Sequence, residues 1–128
     1  ASMLEKEVPE FRDRQLVAGI LKKRERAGVP LQVDATICYV KQVKDGSPLR
    51  CHPLDRTDFS IESSYNTYLN AGFPPGPIGS PGLSAIKAAT TPASSDYWYY
   101  LSDPKTGKTV FSGTLDEHNR NRVRYLGK

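Results

Sequence analysis

Residues 97–117 read YWYYLSDPKTGKTVFSGTLDE, and this stretch decides the fold class. Aromatic and β-branched residues favour a strand over 97–101 and a returning strand over 109–111. Between these strands, residues 104–107 have the composition of a turn. Residues 114–117 then have the spacing of a capping box, which marks the start of a helix. The stretch therefore predicts a hairpin followed directly by a helix.

A shorter helix and a long loop precede this hairpin. Ser80 and Pro81 predict the start of the helix, since serine is a good cap and proline suits the first helical position. This helix runs through residues 83–89 and stops before Pro92. Residues 52–82 are rich in proline, glycine, serine and tyrosine and predict a loop. Loops of this length within a compact domain are usually functional.

A second hairpin is predicted in the middle of the chain. Residues 36–40, Thr-Ile-Cys-Tyr-Val, favour a strand, and Asp45-Gly46 favours a tight hairpin turn. Cys38 and Cys51 flank this segment, and their spacing matches no zinc motif. A disulfide between them and two buried free thiols are both compatible with the sequence.

Two helices are predicted at the start of the chain. The first covers residues 1–8 and stops at Pro9, because the residue before a proline is pushed out of the helical region. The second begins at Glu10, has apolar residues at helical spacing and stops at Gly28. Helices and hairpins alternate without the spacing of parallel βαβ units. We therefore predict an α+β fold in a single domain over residues 1–128.

The net charge of +4 favours polyanionic partners such as nucleic acid, anionic lipid or bacterial cell wall. Basic residues concentrate in 22–26 and 120–124, which we interpret as solvated helix faces. No nucleic-acid reader motif accompanies them, so a nucleic-acid partner is not expected. The sequence has no apolar run of transmembrane length and no signal peptide. It begins inside an apparent helix, which is typical of a fragment of a longer protein.

Glu5 and Glu7 form the first candidate site. Residues two apart in a helix point to different sides, so we expect one glutamate to face the interior or a cleft and the other to face solvent. A carboxyl group beside an apolar surface has a raised pKa, which is what a general acid requires. Two solvated glutamates are the alternative interpretation.

Two further segments are candidate binding sites. Residues 64–68 and 73–79 combine tyrosines, an asparagine and prolines, which suit the apolar faces and polar edges of a sugar chain. A purely structural loop is the alternative. Strand alternation would place Gln32, Asp34 and Thr36 on one side, although turn chemistry explains them equally well. The sequence contains no phosphate-binding glycine loop, zinc signature or nucleophile elbow.

Five segments, each weak alone, occur in a fixed order along nearly the whole chain. They are residues 1–7, 28–36, 65–68, 74–78 with 81–82, and 114–119. Together they resemble the endolytic murein transglycosylase family, whose members are membrane-anchored bacterial cell-wall lyases. The resemblance implies that Glu5 is the catalytic acid and ranks Glu7 second. It implies no cofactor and no metal. The predicted substrate-binding residues are Gln32, Asp34, Tyr65, Asn66, Tyr68, Pro75, Gly76 and Ile78.

The resemblance also implies an activity and a location. Members of the family cleave the β-1,4 bond between N-acetylmuramic acid and N-acetylglucosamine in peptidoglycan and leave 1,6-anhydro ends. Residues 1–128 would then be the catalytic domain, at the extracytoplasmic face of the cytoplasmic membrane. The family's membrane anchor and LysM-like domain are not in this sequence. Peptidoglycan is the expected partner, with cell-wall synthesis proteins as further candidates. The alternative is a module that binds peptidoglycan or a cell-wall synthesis partner without cutting.

Overall fold

The computed structural model describes residues 1–48, 51 and 53–128. These residues form five α-helices and one two-stranded antiparallel sheet, which confirms the predicted α+β class. The elements are α1 (Ser2–Glu7), α2 (Phe11–Arg26), α3 (Asp34–Asp45), α4 (Leu83–Thr90), β1 (Tyr99–Ser102), β2 (Thr109–Ser112) and α5 (Leu115–Asn121). Within this described part of the chain, none of the helices combines the length and the apolar character needed to cross a membrane.

The short helix α1 lies at the centre of the helical layer. It packs against α2, α3 and α4, and α2 also packs along α4. The buried apolar side chains of this core come from α1, α2 and α4 and from the segments between the elements, and Ala35 and Tyr39 of α3 pack against them. They are Met3, Leu4, Val8, Val17, Ala18, Leu21, Leu31, Val33, Ile78, Ala85 and Ala88. Because α1 is enclosed on several sides, both of its glutamates are held in defined surroundings.

The hairpin and the helix after it form as the sequence predicts. Strand β1 pairs antiparallel with β2, with Tyr99 opposite Ser112. The Thr114 side chain accepts a hydrogen bond from the Glu117 N–H at 3.2 Å, and the Glu117 carboxylate accepts one from the Gly113 N–H at 3.0 Å. The Thr114 cap is therefore confirmed, while the Glu117 carboxylate bonds to the residue before the cap and not to the cap itself. The predicted start of α4 at residues 80–81 is wrong, since that helix begins at Leu83 with Gly82 as its cap.

The predicted strand at 36–40 and the hairpin turn at 45–46 are wrong, because this segment is helix α3. Buried residues recur at Val33, Thr36, Ile37 and Val40, which is the spacing of one helix face and not of a strand. Gly46 adopts a left-handed φ of 73° and ends the helix. The same conformation serves a tight hairpin turn and a helix end, which explains why the sequence signal was ambiguous.

Cys38 and Cys51 are joined by a disulfide, with a Cα–Cα distance of 5.4 Å. Of the two states compatible with the sequence, the structure therefore contains the bridge. The sequence predicts a hairpin in this segment, but the bridge does not close one. It ties the buried face of α3 to the loop that follows.

The basic segment 22–26 is only partly a solvated face, because Arg24 is buried. Its guanidinium donates to the Trp98 carbonyl oxygen and to the Pro30 carbonyl oxygen, both at 2.8 Å. It also lies over the Tyr99 ring, 4.7 Å from the centroid. Arg24 thus joins α2 to β1 and closes the hairpin onto the helical layer.

Candidate active site

Glu5 is held as an ionised carboxylate between α2 and the start of α4. Its Oε1 accepts from the Gly82 N–H at 2.7 Å, and its Oε2 accepts from Arg14 Nη2 at 2.6 Å. The Gly82 hydrogen bond and the Arg14 charge lower the pKa of Glu5 and outweigh the opposing effect of burial. Arg14 is itself buried and also donates to the Val8 carbonyl oxygen at 2.7 Å. Glu5 therefore has the contacts of a structural ion pair.

Glu7 lies on another side of α1, where α3 and β1 meet it. Its Oε1 accepts from the Ala35 N–H at 3.2 Å, and its Oε2 accepts from the Tyr100 hydroxyl at 3.1 Å. Burial and the nearby charge of Asp34 raise the pKa of Glu7 to about 7, and the two hydrogen bonds offset this only in part. A carboxyl group in these surroundings holds a proton near neutral pH and can release it.

Asp34 and Tyr68 complete the surroundings of Glu7. The Tyr68 hydroxyl donates to Oδ1 of Asp34, which lies in the first turn of α3. Burial, followed by the charge of Asp34, raises the pKa of Tyr68 far above its usual range. Burial, followed by the charge of Glu7, raises the pKa of Tyr100 in the same direction. We call Glu7, Asp34, Tyr68 and Tyr100 the Glu7 cluster: two carboxyl groups, each bonded to a phenol that stays neutral.

Asn66 shapes the loop that carries Tyr68. Its side chain is fully buried. The amide nitrogen donates to the Phe59 carbonyl oxygen at 3.1 Å and to the Ile61 carbonyl oxygen at 2.8 Å. Its Oδ1 accepts from the Tyr68 N–H at 2.9 Å. Sequence reasoning placed Asn66 among the residues that touch substrate, whereas its contacts here fix the loop backbone and the position of Tyr68.

Replacing Asn66 by aspartate is expected to destabilise the fold by roughly 1–3 kcal/mol. A carboxylate has no N–H to offer the two carbonyl oxygens, and it adds negative charge beside them. Chemical denaturation followed by circular dichroism measures the change. Asn70→Asp is the matched control, because Asn70 makes a similar bond to the Ser63 carbonyl oxygen at 2.9 Å but is exposed. Equal stability of the two variants would contradict the assignment.

The other predicted binding residues fall into three groups. Ile78 belongs to the core, and its N–H donates to the Ser2 hydroxyl at 3.1 Å. Tyr65 packs on Tyr39 with ring centroids 4.9 Å apart, and its hydroxyl lies so close to Gly76 that a Cβ there would be 3.0 Å away. Pro75 and Gln32 are exposed.

Gln32 departs from the strand geometry that the sequence suggested. Its φ of 54° lies in the left-handed region, which non-glycine residues rarely adopt. Its N–H donates to the Thr67 carbonyl oxygen at 3.2 Å, which joins this bend to the Tyr68 loop. Gln32 is exposed and Thr36 fully buried, so the prediction that they share one side with Asp34 is wrong.

The YceG-like family profile matches residues 1–124, nearly the whole chain. This chain belongs to the YceG-like family. It is 37% identical over 126 residues to a Bacillus subtilis protein named endolytic murein transglycosylase, covering 98% of this chain and 33% of that protein. A Streptococcus pneumoniae protein of the same name is 36% identical, with 98% of this chain and 23% of that protein covered. The chain thus spans about a third or less of these relatives.

A solved structure agrees with this assignment. The crystal structure of a yceG-like protein from Listeria monocytogenes superposes with a TM-score of 0.84 at 41% sequence identity. The match covers 94% of this chain and 37% of that one. The family resemblance inferred from the five sequence segments is confirmed.

Sequence reasoning on this YceG-like chain missed the contribution of β1. The sequence predicts Tyr100 in a strand and gives it no part in the site, yet its hydroxyl donates to Glu7, 93 positions away in the sequence. Strand alternation separates Tyr100 from Leu101, which is buried in the interior, but alternation does not name the partner of the hydroxyl. His118 of α5 is partly buried and stacks on Tyr99, with ring centroids 5.0 Å apart.

Proposed function

We propose that this chain carries the catalytic centre of a lytic transglycosylase that cuts peptidoglycan glycan strands. The observation that carries the proposal is the Glu7 carboxyl group, which holds its proton near neutral pH and accepts two hydrogen bonds. The names of the Bacillus and Streptococcus relatives support the substrate and the reaction class. Protonation near neutrality is what a general acid needs.

The reaction requires one group that first gives and then takes a proton. Protonated Glu7 donates to the glycosidic oxygen between N-acetylmuramic acid and N-acetylglucosamine, and the bond from that oxygen to C1 breaks. The C6 hydroxyl of the same muramic acid attacks C1, and ionised Glu7 takes its proton. The products are a 1,6-anhydro end and a free hydroxyl on N-acetylglucosamine. Attack within one molecule benefits from a high effective concentration, so no activated water is needed.

Glu7 therefore replaces Glu5 as the acid in this proposal. Glu5 was ranked first from the resemblance, but its two hydrogen bonds and the Arg14 charge favour its ionised form. An acid that has already lost its proton cannot protonate a leaving group. Glu5 instead fixes α1 against α2 and against the backbone at Gly82, which keeps Glu7 in place.

Substrate contacts are proposed for three further residues of the predicted set. Tyr65 and Pro75 offer flat apolar surfaces to sugar rings, and exposed Gln32 offers an amide to acetamido or hydroxyl groups. Tyr65 is on the same loop as Tyr68, and the Gln32 N–H donates to the Thr67 carbonyl oxygen of that loop. Sugar binding and the position of Tyr68 are therefore coupled through one loop.

Product analysis tests the proposal. Purified peptidoglycan is digested with this chain, and the products are analysed by mass spectrometry. The expected products have 1,6-anhydro ends and are lighter by one water than those with reducing ends. Reducing ends would show hydrolysis and contradict the proposal. Retention on peptidoglycan without any products would favour a module that binds without cutting.

The full-length protein is proposed to act at the extracytoplasmic face of the bacterial cytoplasmic membrane, since its substrate lies there. The net charge of +4 suits an anionic wall. Cell-wall synthesis proteins are the candidate protein partners, because cutting must be coordinated with strand synthesis. Cross-linking in cells, with the Glu7→Gln variant as bait, tests that expectation.

A further inference from the structure

The two oxygens of Glu7 are bonded by donors from different parts of the fold. Oε1 accepts from the backbone at the start of α3, and Oε2 accepts from a phenol on β1. These two bonds define the plane of the carboxyl group. A group that must hand a proton to one oxygen and take it from another depends on such fixed orientation.

The charge of Asp34 has the opposite effect on Glu7 to the hydrogen bond from Tyr100. Asp34 is the residue before Ala35, so its charge stands beside the backbone N–H that Glu7 accepts from. The Tyr68 hydroxyl donates to Asp34 and satisfies one of its oxygens within the site. A neighbouring negative charge favours the protonated form of Glu7, whereas the Tyr100 hydrogen bond favours the ionised form.

We infer that Tyr100 and Asp34 are positioning residues that act on strand cleavage through Glu7, Tyr100 by orienting and stabilising the ionised carboxylate and Asp34 by favouring the carboxyl form. The inference rests on the proposed role of Glu7 as acid and base. The cycle passes through both forms of Glu7. Because Tyr100 favours the ionised form of Glu7 and Asp34 favours the protonated form, neither form is too stable to react.

The other charged groups that the structure describes around α1 do not shift the pKa of Glu7. From α2, Arg14 is paired with Glu5, and Arg24 is bonded to two carbonyl oxygens. The one titratable residue of α4, Lys87, is exposed. The charge of Arg122 lowers the pKa of Tyr68 and of His118. Among the described residues, Asp34 from α3 and Tyr100 from β1 are the side chains whose charge or hydrogen bond shifts the pKa of Glu7.

The test is a pair of conservative variants with opposite expected shifts. In Tyr100→Phe, the lost hydrogen bond raises the pKa of Glu7, so the alkaline limb of the cleavage profile moves to higher pH. In Asp34→Asn, the lost charge lowers that pKa, and the limb moves to lower pH. Each variant is also expected to reduce kcat roughly tenfold, the effect of about 1.4 kcal/mol. If Tyr100 and Asp34 only stabilised the fold, the variants would lower the amount of folded protein but would not move the alkaline limb of the pH profile.

Carbon-13 NMR titration of the Glu7 carboxyl group gives a second measurement that does not need cleavage. The Glu7 signal is assigned from its absence in Glu7→Gln. Tyr99→Phe is the matched control, because Tyr99 stacks on His118 and makes no bond to Glu7. Opposite shifts in the two variants, with none in the control, support the inference. Unchanged or equal shifts overturn it, while wild-type products lacking 1,6-anhydro ends overturn the proposed function separately.

Discussion

The Glu7→Gln variant is expected to bind peptidoglycan and to lose cleavage by about 100-fold to 10,000-fold, the usual contribution of general acid–base catalysis. Glutamine has nearly the same shape, and its amide oxygen can still accept from the Ala35 N–H. It has no acidic proton to give to the glycosidic oxygen. Release of anhydro products, measured at equal protein concentration, gives the size of the loss.

Glu5→Gln is the control that separates the two glutamates of α1. This variant keeps Glu7 and should retain cleavage, but it weakens the bond to buried Arg14 and is expected to melt at a lower temperature. Loss of cleavage in folded Glu5→Gln, together with active Glu7→Gln, would return the catalytic role to Glu5. The melting temperature distinguishes a damaged site from a damaged fold.

Stability gives a further expected result for Glu7→Gln. The folded protein holds the pKa of Glu7 at about 7, well above the ordinary value of a glutamate. The folded state therefore binds the proton more tightly, and the benefit to stability is lost as pH rises through about 7. Glu7→Gln removes this dependence and is expected to melt above wild type at alkaline pH. A melting difference that does not grow between pH 5 and pH 8 would contradict the raised pKa.

The sequence predicted the elements that local chemistry dictates. Pro9 separates α1 from α2, and the Thr114 capping box starts α5, because caps and prolines act within a few residues. Helix α3 was misread because Thr36, Ile37 and Val40 carry high strand propensity while burial follows a helical period. Packing against α1 overrides that propensity.

The sequence was enough to single out Glu5 and Glu7 as candidate catalytic residues, but it could not show which of them keeps its proton. Residues two apart in a helix had to face different neighbours, which holds for Glu5 and Glu7. Glu5 is ionised because of its bonds to Gly82 and Arg14, whereas burial and the nearby charge of Asp34 keep Glu7 protonated against the opposing hydrogen bond from Tyr100. Gly82 and Tyr100 are far from α1 in sequence, and their contacts arise only when α4 and the hairpin pack on the helical layer.

Replacing Gly19 by alanine is expected to destabilise the protein by roughly 1–3 kcal/mol or more, as over-packing does in closely packed interiors. A Cβ at this position of α2 would lie 2.1 Å from the Ala93 carbonyl oxygen, closer than any real contact. Alanine favours a helix over glycine by about 1 kcal/mol, so local propensity alone predicts the opposite sign. Chemical denaturation therefore decides between packing and propensity.

The Ala93 segment cannot retreat from Gly19 without loss of other bonds. The Ala93 N–H donates to the Gln15 carbonyl oxygen at 2.9 Å, and the Gln15 side chain donates to the Thr91 carbonyl oxygen at 2.9 Å. Gly79→Ala is the matched control, because its new Cβ would meet the flexible end of Lys6 at 3.2 Å. That side chain can move aside, so a nearly neutral change is expected. A Gly19→Ala variant as stable as wild type would mean that α2 and the segment after α4 do not pack this closely.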